Sequence, residues 1–338
     1  MISSYKNKKA LLIGNGINQL DKQQSVSWGE LLNELKSNFD IQVDLQNEFK
    51  PFPLGFDEML HQKRGSNDFD DKLKTLKITI RNNIDNQLNG RLGYNDYHRR
   101  IMEMGYDDIL NTNYDYGLEK SIAPDFFELK RELAQNKQER KFSLKRHYRL
   151  ISNIWHIHGE LFDSRNLSEN SKYYNEESIM IGYEHYTSYL EKIQENFKGK
   201  SGIRAIENQG LMTRIKNNEL GMFWTDIFFT HNLDIIGQGL DFSENHLWWI
   251  INQRAMLIRK HNEKHDVLID NKIRYFYPII ENNIVINDNN IEEIIKMKNA
   301  NKKSKAVAEL LKAFQVEIVS IECSSHEEFY DEFILKNY

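Results

Sequence analysis

"LLIGNGINQL", residues 11–20, decides the reading of the fold, because an apolar run passes directly into Gly14-Asn15-Gly16. Leu11, Leu12 and Ile13 read as a buried strand, and the two glycines mark a turn at which backbone can approach a phosphate closely. The dinucleotide fingerprint places a third glycine three positions after the second. That position here is Gln19, so the turn alone is equally compatible with a plain strand-to-loop connection.

Working outward, short apolar runs alternate with longer amphipathic stretches, the pattern of a parallel sheet covered by helices. Candidate strands are "KALLIG" at 9–14, "DDILNT" at 107–112, "NIWHIHG" at 153–159, "LDIIGQG" at 233–239, "IRYFYPI" at 273–279 and "QVEIVSI" at 315–321. The residues between the first two carry helical periodicity, as in "WGELLNELKSNF" and "FDDKLKTLKITIRNNIDNQL", well beyond what one crossover helix needs. The expected architecture is therefore α/β: one domain over 1–338 built on a Rossmann-like parallel sheet of about six strands. A helical insertion is expected at about 28–104 and a second, mixed insertion at about 160–222, the latter either part of the same module or a loop closing over a site. "NANKKSKAVAELLKAF" at 299–314 is basic, but its apolar residues recur at helical spacing and it reads as a helix with a solvated face.

Composition narrows the class. The chain has 338 residues, 40% of them hydrophobic, enough for a substantial core, and a net charge of −5 that argues against a dedicated nucleic-acid binder. The basic stretch "KRHYR" at 145–149 remains a possible local contact. The single cysteine, Cys323, excludes an intramolecular disulfide and any multi-cysteine zinc site. With no signal peptide and no apolar run long enough to span a bilayer, a cytoplasmic protein is expected.

Ligands of open parallel sheets bind beyond the carboxyl ends of the strands, so the residues just after each strand carry the chemistry. Four strand ends are rich in polar groups: Gly14 to Asn18, "NTNYD" at 111–115, "HIHGE" at 156–160, and "GQGLDFSENHLWW" at 237–249. Strand alternation puts His156 and His158 on one face. Two histidines without further ligands do not make a metal site, so no metal is expected and His156 reads as a core or supporting histidine. Trp248, Trp249, Phe223, Trp224, Phe228 and Phe229 read as core.

The order GxG, TNYD, HG and IIGxGLxxSExxLWW resembles the SIR2-like (sirtuin-related) family over about residues 9–258, and "SIMIGYEHYTSYL" at 178–190 is also similar to bacterial members. In that family the glycine turn meets the NAD pyrophosphate, the Asn of the TNYD motif lies near the nicotinamide ribose, and the His of HG is the base. The resemblance implies these roles for Gly14, Gly16, Asn113 and His158, with Asp115 beside them. Asn15, Thr112, Gly237 and Gly239 join the expected cofactor-contacting set, with Glu244 and Asn245 at the adenosine ribose, or else Ser243 or Glu244 capping the following helix. The four-cysteine zinc ribbon of the protein deacetylases is missing, and "NQLDKQQSVSWGELL" at 18–32 is similar instead to NAD-cleaving effectors. What the resemblance implies is an NAD+ hydrolase of antiphage defence, with NAD+ as substrate and no permanently bound cofactor.

The residues suit that chemistry. Cleavage of the nicotinamide–ribose bond develops positive charge at the anomeric carbon, which ionised Asp115 can stabilise unless it serves to order Asn113 or to cap the helix that follows. Asn113 offers a donor and an acceptor to a water or the ribose hydroxyls, and His158 can take a proton near neutral pH. An ADP-ribosyltransferase and a non-enzymatic NAD or ADP-ribose sensor share the same site. Because free NAD+ cleavage would kill the host, control by self-assembly into a homo-oligomer or by a separate sensor protein is expected, docking on the helical insertion.

Overall fold

Ala10, Leu11, Leu12 and Ile13 are all shut off from solvent, so β1 (Lys9–Ile13) is covered on both faces, and its sequence is continuously apolar rather than alternating. The computed structural model describes residues 8–20, 28–38, 41–43, 50–62, 75–80, 93–135, 143–160, 179–200, 208–264, 269–280 and 291–337. In it β1 lies within an eight-stranded mixed sheet, with β2 (Asp108–Asn111), β3 (Ala134–Gln135), β4 (His147–Arg149), β5 (Asn153–His156), β6 (Asn232–Ile236), β7 (Ile273–Ile280) and β8 (Glu317–Cys323). The strand order is β3-β4-β5-β2-β1-β6-β7-β8.

The six expected strands form the parallel part, β5-β2-β1-β6-β7-β8. The expectation of a six-stranded, wholly parallel sheet is corrected at one edge, where β3 and β4 add antiparallel to β5. At two and three residues they are too short to leave a periodic trace in the sequence. Numbered by occurrence, the parallel strands lie in the order 3-2-1-4-5-6, which makes the fold Rossmann-like. The order reverses between β1 and β6, where such sheets open a crevice at their carboxyl edge.

Alternation along the strands feeds two cores. Ala10, Leu12, Leu110, Trp155, Leu233 and Ile235 face one layer, whose helices include Tyr183–Lys198, Asn245–Lys264 and Ile291–Ala313. Leu11, Ile13, Ile109, Ile154 and Ile236 face the other, which holds the helices Asp96–Glu103 and His326–Asn337. Phe223, Trp224, Phe228 and Phe229 lie inside the first layer, with Trp248 and Trp249 packed against it. In the helix Ile291–Ala313, Val307 and Leu311 are buried while Lys302, Lys303 and Lys305 are exposed, so the basic stretch is a solvated face.

Within 28–104 the described residues form the helices Trp28–Asn38, Phe52–Gln62, 75–80 and Asp96–Glu103. The first three build a third core with Tyr114, Phe126, Tyr148, Ile179 and Ile181. Most of "FDDKLKTLKITIRNNIDNQL" lies outside the described residues. In the second expected insertion, 161–178 and 201–207 also lie outside them, and most of the remainder is helical, notably Tyr183–Lys198 and Leu211–Asn217, rather than a closing loop. "KRHYR" is divided: Arg146 turns inward to Glu160 at 2.6 Å and His147 stacks on Trp155, while Arg149 is exposed. Among the described residues no helix is long and apolar enough to cross a membrane.

The glycines after β1 are demanded by the sheet itself. A Cβ on Gly14 would meet the Gln238 side chain and sit 2.5 Å from the Gly237 carbonyl oxygen, and one on Gly16 would sit 2.8 Å from Gly237 Cα. Gly14→Ala is expected to lower the unfolding free energy by about 1–3 kcal/mol, read as a lower urea midpoint at unchanged slope.

Candidate active site at the carboxyl edge of the sheet

Strand register sets which residues share this edge. Ile13 pairs with Asn111 on one side and Ile236 on the other, and Asn111 pairs with His156. The next residue out in each chain keeps the ladder for one more step: Thr112 N–H donates to Ile13 O at 3.1 Å, Ile157 N–H to Asn111 O at 3.0 Å, and Gly14 N–H to Ile236 O at 3.2 Å. Asn113 and His158 therefore stand two residues past a matched pair, on neighbouring strands. Tyr114 and His158 also share one partner residue, since Met180 O accepts the Tyr114 hydroxyl and Met180 N–H donates to His158 O at 2.8 Å.

The amides of Gly14 and Gly16, expected to face a pyrophosphate, instead donate to the carbonyls of Ile236 and Gly237, the latter at 3.0 Å. These hydrogen bonds close the base of the crevice between β1 and β6. Gly237 adopts φ +61, the left-handed region that favours glycine, and a Cβ there would run into the Tyr330 hydroxyl. Gly239 differs, because an added Cβ meets nothing within 4 Å. Thr112 Oγ1 donates to Ile13 O at 3.1 Å and to Gln238 at 3.3 Å, tying the end of β2 to the turn after β6.

Asn113 is buried and oriented by its own backbone neighbours. Its Nδ2 donates to Gly14 O at 3.2 Å, and its Oδ1 has no partner among the described residues. His156 supports it from below: Nδ1 lies 3.2 Å from Asn113 O and Nε2 lies 2.7 Å from Glu119 Oε1. Both ring nitrogens thus face acceptors. Burial opposes a charge on that ring, yet the Glu119 carboxylate and its hydrogen bond outweigh it and raise the His156 pKa, so the cation that donates to both is favoured. His156 and His158 do not share a strand face as expected, because β5 ends at His156 and the chain turns at 157–158, with Gly159 N–H donating back to His156 O at 3.1 Å.

Asp115 is fixed by a chain of amides. Its Oδ1 accepts Gly117 N–H at 2.9 Å, which caps the helix Gly117–Ile122, and its Oδ2 accepts Asn18 Nδ2 at 2.8 Å. Asn18 Nδ2 also donates to Asn15 Oδ1 at 2.9 Å, while Asn18 Oδ1 lies 3.0 Å from His98 Nε2. At its other nitrogen His98 is held by Asn95, whose N–H and Oδ1 lie 3.2 and 2.9 Å from Nδ1. Asp115 consequently orders Asn18 rather than Asn113. His98 left no signal in "NDYHRR", since its partners are Asn18, 80 residues earlier, and the cap at Asn95.

Glu244 is not at a separate ribose-binding position: its Oε2 lies 3.1 Å from His158 Nε2. His246 completes the group, with Nε2 3.0 Å from His158 Nε2 and 3.9 Å from Glu244 Oε2. The rings of Tyr186 and Tyr189 wall it in, and burial drives the His246 pKa well below the ordinary histidine value, so its ring is neutral. Sequence reading missed His246, whose only trace is its place in the first turn of the tryptophan-bearing helix. Asn245 Oδ1 is buried with no partner among the described residues, an acceptor left for something else.

No protein-family model matches this chain, and neither does any curated protein. The site therefore has to be read from its own geometry. A cavity of about 290 Å³ opens at the opposite, amino-terminal edge, beside Lys9, Tyr106, Asp234 and Arg274. At its centre Arg274 pairs with Asp234 at 2.7 Å and Tyr106 donates to Asp234 at 2.8 Å.

The amide chain yields a pH signature. Burial pushes the His98 pKa down to about 4 from the ordinary 6.5, against the pull of Asp115. A folded value below the unfolded one means that the group's contribution is fully present above pH ~6.5 and is lost as pH falls from there toward ~4. For a fully buried ring the loss is up to about 3 kcal/mol. His98→Gln should flatten the fall in unfolding free energy between pH 6.5 and 4, measured by urea titration; an unchanged slope would remove His98 from the account.

Proposed function

We propose that the protein is an NAD+ hydrolase that cleaves the nicotinamide–ribose bond to give nicotinamide, ADP-ribose and a proton. The observation that carries the reading is the register: Asn113 and His158 each lie two residues past the matched pair Asn111 and His156, at the carboxyl ends of β2 and β5, the two strands that follow β1 on one side of the reversal of strand order. Asn113 Nδ2 is held by Gly14 O, so the carboxamide cannot flip without losing that bond, and its Oδ1 is left for the substrate.

Nicotinamide leaves as a neutral molecule from a cationic glycoside, so the protein has no need to protonate it. What the reaction needs is support for the positively charged sugar carbon and a base for the incoming water. With the Nε2–H of His158 directed at His246 Nε2, 3.0 Å away, and Glu244 Oε2 3.1 Å from the same nitrogen, the lone pair of Nδ1 is left to receive the proton from water or a ribose hydroxyl. The carboxylate also steadies the imidazolium that results. The unpartnered Asn245 Oδ1 and the open approach at Gly239 suit the adenosine half of the dinucleotide. The cellular setting, depletion of NAD+ during phage infection under control of an assembly partner, rests on the SIR2-like resemblance.

Nicotinamide and ADP-ribose released by the full chain, followed by chromatography, test the reading. Equimolar products are expected, and His158→Ala and Asn113→Ala should each lower the rate by about 100- to 10,000-fold. Label retained on a macromolecule would instead mean transfer, and binding of NAD+ without nicotinamide release would mean a sensor. Gly239→Ala should leave stability within about 0.5 kcal/mol while raising KM for NAD+.

A further inference from the structure

Three lone-pair atoms meet at one point beside the proposed base. His158 Nε2, His246 Nε2 and Glu244 Oε2 lie 3.0, 3.1 and 3.9 Å apart. His158 and His246 are buried, and Glu244 Oε2 is itself buried with no hydrogen-bond partner. Hydrogen bonding satisfies only part of this triangle: one hydrogen on Nε2 of either ring joins the two imidazoles, and Glu244 Oε2, 3.1 Å from His158 Nε2, is left without one. A divalent cation accepts all three at once.

The dimensions agree. The point in their plane equidistant from the three atoms lies about 2.0 Å from each, the length of Zn–N and Zn–O bonds, and shifts of about half an ångström in the separations would give tetrahedral spacing. Two imidazoles and one carboxylate suit zinc and its first-row neighbours rather than magnesium, which prefers oxygen ligands and keeps its waters. The three ligands come from the turn after β5 and the start of the helix Asn245–Lys264, two elements already fixed by the sheet, so binding would need little rearrangement.

We propose that His158, Glu244 and His246 form a zinc-class divalent-ion site and that the ion acts as an off switch for the chemistry above. The switching half rests on the reading of His158 as the base. With the ion on Nε2, the single proton of the neutral ring moves to Nδ1, and the lone pair that would accept a proton from water is gone. Metal-free protein keeps the proton on Nε2, directed at His246 with Glu244 beside it, and the base is available. The ion thus selects the inactive tautomer without moving the chain.

The test uses full-length protein stripped with chelator and titrated with zinc chloride against a fluorescent zinc indicator. One ion per chain is expected, with affinity lowered at least 100-fold in Glu244→Gln and in His246→Gln, and no competition from millimolar magnesium. Zinc should raise the melting temperature of the wild type but not of Glu244→Gln, whose carboxamide preserves shape. Equal zinc affinity in wild type and both variants, or none in the wild type, would overturn the site whatever the activity. In a parallel assay zinc should suppress nicotinamide release at least tenfold, with recovery on adding chelator; release that rises with zinc would overturn the switch. Zinc binding with no nicotinamide release in either state would sink the NAD+ hydrolase reading and the switch while leaving the ion site standing.

Discussion

Two backbone turns touch where the strand order reverses, and the arrangement beyond the sheet edge depends on that contact. Gly14 and Gly16 donate to the carbonyls after β6, and neither position has room for a Cβ. The hydrogen bonds lock the ends of β1 and β6 at one height. Through the continuing ladder they also set the height of Thr112 and, two strands away, of Ile157. A residue larger than glycine would push these turns apart and shift the polar residues that follow. The glycines of the opening motif thus serve chain-to-chain packing, and a ligand at this edge would rest on top of that closed base.

Above it, buried polar groups hold one another in defined protonation states. Neutral His98 passes a hydrogen bond through Asn18 to Asp115, while His156, its pKa raised by Glu119, lies between Asn113 O and that carboxylate. Two histidines of the same site are therefore driven in opposite directions, one by desolvation alone and the other by a carboxylate that overcomes it. Such networks are stiff, because each lost bond leaves a desolvated group. Stiffness is what a site needs when its working side chains must hold their orientation before any substrate arrives.

Much of the fold was legible in the chain because a parallel sheet buried on both faces writes itself as apolar runs. All six runs became strands within two or three residues of their expected ends. β3 and β4 left no such mark, since a strand of two or three residues has no period and borrows its pairing from β5. The end of β5 was misjudged for a related reason. "NIWHIHG" alternates as a strand does, but Gly159 at φ +86 lets the chain turn two residues early and sends His158 to a different partner from His156. Arg146 likewise read as surface charge because its partner Glu160 became adjacent only through the β4–β5 hairpin.

By itself the sequence determined the class of the fold, the six parallel strands, and the four polar strand ends, because periodicity and turn chemistry are local properties of consecutive residues. Only the tertiary structure decided what those ends do to one another. That Glu244 meets His158 rather than a separate position, that His246 joins them, and that Asp115 orders Asn18 are facts of register and layer packing between segments as many as 97 residues apart. No local pattern encodes such distances. They follow from the 3-2-1-4-5-6 order, which brings the ends of separate chain segments to one edge of a single sheet.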